Sequence, residues 1–154
     1  MVGFGYDCHR LVKGEQLILG GIEVDSEYGT VAHSDGDVML HALCDALLGA
    51  GGLGDIGEHF PDTDPKYKGA DSSLFINEVL RLLNDKGFSL VNIDITIILE
   101  KPKLGEYKQQ IRKNIALLCR LADERVNIKA KTSEKLGFAG RSEGVEAYCV
   151  CEIR

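Results

Sequence analysis

Tryptophan is absent, proline occurs three times, and long apolar runs are missing altogether. The longest such stretch, Ile95-Thr96-Ile97-Ile98-Leu99, falls far short of the ~20 residues that a membrane-spanning helix requires. Positive charge is the scarcer sign: 18 Lys and Arg face 24 Asp and Glu, a formal net charge of −6. That balance argues against nonspecific nucleic-acid binding, which needs a basic field. An acidic chain that handles a polyanion must neutralise it locally, with metal ions, backbone N–H groups and a few placed lysines or arginines. The five cysteines are an odd number without a Cys-x-x-Cys pair, which points to reduced, packed thiols rather than a disulfide framework. No basic segment followed by an apolar and small-residue run opens the chain, because Val2-Gly3-Phe4-Gly5-Tyr6 already alternates like a strand; a cytoplasmic protein is the expectation. Repeats and low-complexity tracts are also lacking. With 154 residues, 44% hydrophobic and 27% charged, residues 1–154 are expected to form one domain.

Within this ordinary background, Asp7-Cys8-His9 is the most informative stretch. Side chains alternate across a strand, so Asp7 and His9 share a face and Cys8 takes the other. His41 lies in the helical stretch Asp37-Val38-Met39-Leu40-His41-Ala42-Leu43-Cys44-Asp45. One carboxylate and two imidazoles from two rigid elements suit a divalent-ion site with an open position. An Asp-x-His pair alone is more often an ordinary hydrogen-bonded surface pair.

Strands are expected over 1–12 and about 15–25, the second interrupted at Gly20-Gly21 by a bulge or tight turn. Ser34-Asp35-Gly36-Asp37 supplies cap chemistry for a helix from about Val38 to Gly49, with Leu40, Leu43, Leu47 and Leu48 as its apolar stripe. Residues 51–71, rich in Gly, Pro and Asp, read as a long flap-like loop with room for one helical turn. A helix over about 72–86 follows, with Gly87 at its end. Alternation from Val91 to Leu99 marks the clearest strand, then a helix over about 106–121 and strands at 126–130 and 144–153. This order predicts an α+β, two-layer fold: a mixed sheet of four-stranded type, helices on one face, and an N-terminal hairpin. The second sheet face keeps Tyr148, Val150 and Ile98, and no helix remains to cover it, so a partner subunit is the simplest cover.

Three further segments can carry chemistry. His33-Ser34 precedes the first helix; either the helix start and His33 attract an anion, or Ser34 caps the helix and His33 is a loop residue. Lys131-Thr132-Ser133-Glu134-Lys135 follows a strand, where hydroxyls and N–H groups bind phosphate and Glu134 suits Mg²⁺; a capped helical turn with solvated charges is the alternative. Glu100-Lys101-Pro102-Lys103-Leu104 begins where the central strand ends, a usual place for a binding loop.

Taken together, Gly5-Tyr6-Asp7-Cys8-His9-Arg10, Ala32-His33-Ser34-Asp35-Gly36-Asp37, Leu53-Gly54-Asp55-Ile56-Gly57, Phe60-Pro61-Asp62-Thr63-Asp64-Pro65 and Thr132-Ser133-Glu134-Lys135-Leu136-Gly137-Phe138-Ala139-Gly140-Arg141 resemble the 2-C-methyl-D-erythritol 2,4-cyclodiphosphate synthases. The resemblance implies a metal-dependent lyase of the non-mevalonate isoprenoid pathway. Such an enzyme cyclises 4-diphosphocytidyl-2-C-methyl-D-erythritol 2-phosphate and releases CMP. It implies Zn²⁺ on Asp7, His9 and His41, and Mg²⁺ or Mn²⁺ on Glu134, with His33 and Thr132 stabilising the transition state. Asp7, His9, His33 and Ser34 would also face the substrate. Asp55, Ile56, Gly57, Phe60, Pro61, Asp62, Thr63 and Asp64 would receive the methylerythritol part. Leu99, Glu100, Lys101, Pro102, Lys103, Leu104 and Gly105, with Lys131, Thr132, Ser133 and Glu134, would hold the cytidine diphosphate. It further implies a homotrimer whose sheets face a central axis, with Phe138, Arg141 and Glu143 near a cavity that takes isoprenoid diphosphates in some members. Leu99-Glu100-Lys101 departs from the Ala/Gln-rich stretch of familiar members, which changes side-chain contacts to the base but spares backbone ones.

Overall fold

Alternation over Val2–Lys13 builds β1, the strand on which the rest is organised. The computed structural model describes residues 1–154. After β1 come a short ribbon of β2 (Leu17–Leu19) and β3 (Ile22–Val24), then β4 (Tyr28–Val31). Gly20 and Gly21 join β2 to β3 with φ of 58° and 76°. Two successive left-handed residues form the tight turn whose twist matches a hairpin, and glycine takes that conformation without strain. The glycine pair is thus the turn of a separate hairpin, not a bulge in one strand. Helices α1 (Val38–Gly51), α2 (Ile56–His59) and α3 (Ser73–Asp85) follow, then β5 (Leu90–Ile98), α4 (Lys108–Leu118), β6 (Val126–Lys131), α5 (Gly137–Gly140) and β7 (Gly144–Ile153).

The main sheet has five strands in the order β4-β1-β7-β5-β6. This corrects the expected four-stranded type: the added strand is β4, which pairs antiparallel with β1 from Arg10–Val31 to Lys13–Tyr28. Only four residues long and carrying Gly29, β4 is too short to show an alternation of its own. Strand β7 is antiparallel to both β1 and β5, and β6 is parallel to β5, so the sheet is mixed. Consequently β1, β5 and β6 all point the same way and end at the same side of the molecule.

One face of this sheet is covered. Ile93, Ile95 and Ile97 of β5 and Val145, Ala147, Cys149, Cys151 and Ile153 of β7 are fully buried there. Helix α1 lies directly on β1 and β7, and two glycines explain how closely. A Cβ on Gly5 would stand 2.0 Å from the Ala42 carbonyl oxygen, and one on Gly3 would stand 1.9 Å from that of Ala46. Ala42, Ala46 and Ala50, four apart, present the small face that meets these glycines. Nearly every side of α1 is buried, the leucine stripe included. On the outer face Phe4, Tyr6 and Val150 are exposed, and no element of the chain covers them.

The first helix is capped by Asp37 rather than Ser34. Fully buried, the Asp37 carboxylate accepts the N–H groups of Leu40 (3.1 Å), Gly20 (2.9 Å) and Gly21 (2.6 Å). A carboxylate, not the Ser34 hydroxyl, therefore caps the α1 start. The flap contains two short helical pieces where one was expected: α2, capped by Asp55, and a 3-10 turn over Pro65–Tyr67 capped by Asp64. All five cysteines are free thiols, four of them buried and Cys8 exposed. No helix is long and apolar enough to cross a membrane.

Candidate functional site

Because Asp7 and His9 lie on the same face of β1 as Gly3 and Gly5, they point toward α1, where His41 sits one turn past the cap. The close β1–α1 approach brings three donor atoms to one corner. Asp7 Oδ2 lies 3.0 Å from His41 Nδ1 and 3.3 Å from His9 Nε2, and the two imidazole nitrogens are 3.0 Å apart. Asp7, His9 and His41 are a group whose ligand atoms all lie within 4.8 Å of one another. A tetrahedral ion with bonds of ~2.0–2.2 Å sets its ligands about 3.3 Å apart, so the triangle matches a divalent cation with one vacant position. Three lone-pair donors this close also repel one another unless a cation or a proton lies between them. Burial holds the His9 imidazole below its ordinary value, against the raising influence of Asp7. A neutral imidazole is the form that ligates.

The corner opens into a cavity of about 450 Å³ lined by His9, Ala32, His33, Ser34, His41, Ile56, Gly57, Phe60, Pro61, Asp62, Tyr67 and Phe75. His33 Nε2 donates to the Asp64 carbonyl (3.1 Å), which ties the segment before α1 to the flap. The apolar floor comes from Phe60, stacked on Phe75 at 4.6 Å, with Tyr67 edge-on to both. The Asp55 and Asp64 carboxylates are engaged as caps, accepting Glu58 N–H (3.0 Å) and Lys66 N–H (2.9 Å). Asp45 on α1 accepts Ile56 N–H (2.8 Å) and so fixes the flap's first turn to the same helix that carries His41.

The strand-end residues form a second cluster. Leu99 N–H donates to the Lys131 carbonyl (3.0 Å), joining the loops after β5 and β6, and the Lys101–Pro102 bond is cis. Glu100 accepts Ser133 N–H (3.3 Å), Thr132 Oγ1 donates to Glu134 (3.1 Å), and Ser133 Oγ donates to the Leu136 carbonyl (2.7 Å). Glu134 and Lys135 have φ of 55° and 63°, so this is a tight left-handed turn, not the capped helical turn that was the alternative. Leu104 is buried, Lys101 and Lys103 are not a buried pair, and Gly105 is exposed. Arg141 is paired with Glu143 (2.9 Å) beside the half-exposed Phe138. None of these residues lines the cavity at Asp7, His9 and His41.

Register explains the separation. Cys8 and Ile98 both pair with Glu146, and Ile98 pairs with Lys131, so the two clusters leave the sheet at one height. Across the sheet they are three strand spacings apart, about 14 Å.

The sequence matches the YgbB family over residues 1–154. The chain belongs to that family. It is 53% identical, over 97% of its own length and 95% of the other's, to the 2-C-methyl-D-erythritol 2,4-cyclodiphosphate synthase of Geobacter sulfurreducens. It is similar to a solved 2C-methyl-D-erythritol-2,4-cyclodiphosphate synthase in a CDP-bound form, with a TM-score of 0.93 and 41% identity over all of both chains. It also resembles the bifunctional IspDF of Campylobacter jejuni, with a TM-score of 0.94 and 44% identity; 99% of this chain matches 41% of that longer one. This YgbB-family chain adds residues to the site that its sequence did not single out: Ala32, Tyr67 and Phe75 in the cavity wall, Asp45 behind the flap, and Asp35 and Ser72 behind His41. For Tyr67 and Phe75 the available signal was one aromatic late in the flap and another just after it. Asp35 and Ser72 lie in notable segments yet look like cap residues alone.

Proposed function

We propose that the chain is a single-domain cyclodiphosphate synthase that converts 4-diphosphocytidyl-2-C-methyl-D-erythritol 2-phosphate into 2-C-methyl-D-erythritol 2,4-cyclodiphosphate and CMP. That reaction places it among the phosphorus–oxygen lyases of non-mevalonate isoprenoid synthesis. The observation that carries this reading is the Asp7–His9–His41 corner, open to a cavity of about 450 Å³, in a chain matching the family end to end. Asp7, His9 and His41 would hold Zn²⁺ and Glu134 would hold Mg²⁺ or Mn²⁺, and these ions would supply neutralisation of phosphate charge.

The substrate's own 2-phosphate oxygen attacks the β-phosphorus. A new P–O–P bond forms, the bond from that phosphorus to the α-phosphate oxygen breaks, and CMP departs with the oxygen. No protein nucleophile takes part, so catalysis is positioning and charge stabilisation. His33 and Thr132 donate to phosphoryl oxygens as charge shifts. Ser34, Ile56, Gly57 and the Phe60–Asp64 loop hold the methylerythritol part over the aromatic floor. Residues 99–105 and 131–134 hold the cytidine diphosphate, a reading supported by the CDP-bound relative.

Two half-sites at one height, on β1 and at the β6 edge, suit a ring of copies, in which the β6 edge of one meets the metal corner of the next. A homotrimer with the outer sheet faces toward the axis would also cover Phe4, Tyr6 and Val150. In that arrangement Phe138, Arg141 and Glu143 would border a central cavity able to take an isoprenoid diphosphate. Incubation with the cytidylated substrate and Mg²⁺, with and without chelator, followed by mass analysis, tests the reading. A cyclic diphosphate with CMP, lost on chelation, is expected. Free phosphate released by water would instead mark a metal-dependent phosphoesterase.

A further inference from the structure

Behind His41 lies a buried polar chain that the reaction itself does not use. Ser72, with no exposed surface, precedes α3 and makes no cap bond to it. Its hydroxyl instead lies 2.9 Å from His41 Nε2, and the same oxygen is hydrogen-bonded to Asp35 Oδ1. Ser72 N–H donates to the other Asp35 oxygen at 3.0 Å. Ser34 Oγ is also 3.1 Å from His41 Nε2. Asp35 is itself fixed from both sides, since it accepts Asp37 N–H (3.1 Å) and its own N–H donates to the Ala70 carbonyl (3.0 Å).

Counting hydrogens settles the direction of this chain. A carboxylate only accepts, so the single hydroxyl hydrogen of Ser72 goes to Asp35. Ser72 Oγ can then meet Nε2 only as an acceptor, and Nε2 must carry the hydrogen. The other tautomer would set two lone pairs against each other at 2.9 Å in a buried place, whereas the matching opposition of a bare Nδ1 to Asp7 and His9, each 3.0 Å away, is relieved by a cation or by a proton on His9 Nε2 shared in the corner. We infer that Asp35 and Ser72 are positioning residues that lock His41 as the Nε2–H tautomer, leaving the bare Nδ1 lone pair aimed at the Asp7 and His9 donors. The tautomer part stands on geometry alone; the consequence for metal rests on the reading of the corner given above. Groups that orient a ligating imidazole in this way typically contribute ten- to a hundredfold in metal affinity.

The test uses the full-length, metal-stripped protein. Long-range ¹H–¹⁵N correlation of His41 at about pH 8, above the ordinary histidine value, reads the tautomer directly. Competition with a chromogenic chelator reads Zn²⁺ affinity. In the parent chain Nε2 is expected to carry the hydrogen. In Asp35→Asn the amide can donate to Ser72, whose hydrogen then turns to Nε2, so the Nδ1–H form should appear and Zn²⁺ affinity should fall ten- to a hundredfold. Ser72→Ala should lose affinity similarly and Ser72→Thr should retain it; if Ser72→Ala fails to fold, Asp35→Asn and Ser72→Thr carry the comparison. An Nδ1–H tautomer in the parent chain, or a folded Asp35→Asn variant with unchanged tautomer and affinity, overturns the inference. A parent chain with the Nε2–H tautomer that binds no Zn²⁺ would uphold the lock and refute the metal reading instead.

Discussion

On the covered face of β1, Asp7, His9 and His41 hold their donor atoms within 3.3 Å of one another, with α1 packed on β1 by backbone-to-backbone contact. At the β6 edge, Glu100, Thr132, Ser133 and Glu134 hydrogen-bond one another and the Leu136 carbonyl in the turn after the strand. The first region is preorganised by burial and by glycines that let two elements meet; the second is a left-handed turn held by its own side-chain hydrogen bonds. A rigid corner suits an ion, whose ligand distances are fixed, while a loop suits a nucleotide, whose contacts close around it.

The sharpest way to break this contrast is to remove one member from each region. His41→Ala leaves two donors and should lower turnover roughly a thousandfold, about 4 kcal/mol of lost transition-state stabilisation. Glu134→Ala, at the looser edge, should cost roughly a hundredfold. Co-expression of the two variants with different tags decides whether the regions meet across copies. In a mixed ring about a quarter of the junctions pair an intact metal corner with an intact β6 edge, so activity should return to that fraction. If both regions served one site within each chain, every subunit would carry a defect and the mixed assembly would stay inactive.

Much of this was legible beforehand because the chemistry followed local periodicity. Two-residue alternation set Asp7 and His9 on one face, and the inward pattern from Val145 to Ile153 is matched residue for residue by burial. What the sequence concealed depends on long-range fit. The α1–β1 approach is written as Gly3 and Gly5 opposite Ala42, Ala46 and Ala50, a pattern that means nothing until the two elements are paired. Strand β4 was hidden by its length, and the true helix cap by the presence of Ser34, Asp35 and Asp37 within one segment. Ser72 was hidden because a serine before a helix normally caps it, whereas here its hydroxyl faces His41.

Rigidity of the corner can be probed through its glycines. A Cβ at Gly5 meets the Ala42 carbonyl at 2.0 Å and the Ala46 nitrogen at 2.6 Å, backbone atoms that cannot swing aside. Gly5→Ala should destabilise by about 3 kcal/mol and weaken metal binding, because α1 must move away from the strand that carries Asp7 and His9. Gly105→Ala in the opposite loop has nothing within 4 Å and should change stability by less than about 0.5 kcal/mol. Urea denaturation of the two variants reads the difference, and equal losses would show that the corner is no more tightly built than the loop.

The smallest effect concerns the Asp37 cap that seats α1. Burial raises its carboxyl to about 6 even though three N–H groups favour the charged form, and Asp35 adds to the rise. In the unfolded chain the same group ionises near 3.8. Between these values the folded state binds more protons, so this group's contribution to stability declines as pH rises through that window. From pH 5 to pH 7 the decline is about 1 kcal/mol. Asp37→Asn cannot ionise, and subtracting its urea-unfolding curve from that of the parent cancels the other titrating groups. The difference in stability, parent minus variant, should therefore fall by that amount across the interval. Parallel curves would mean that the three N–H bonds outweigh burial and that the cap is charged throughout, which would make the start of the helix that carries His41 anionic at every working pH.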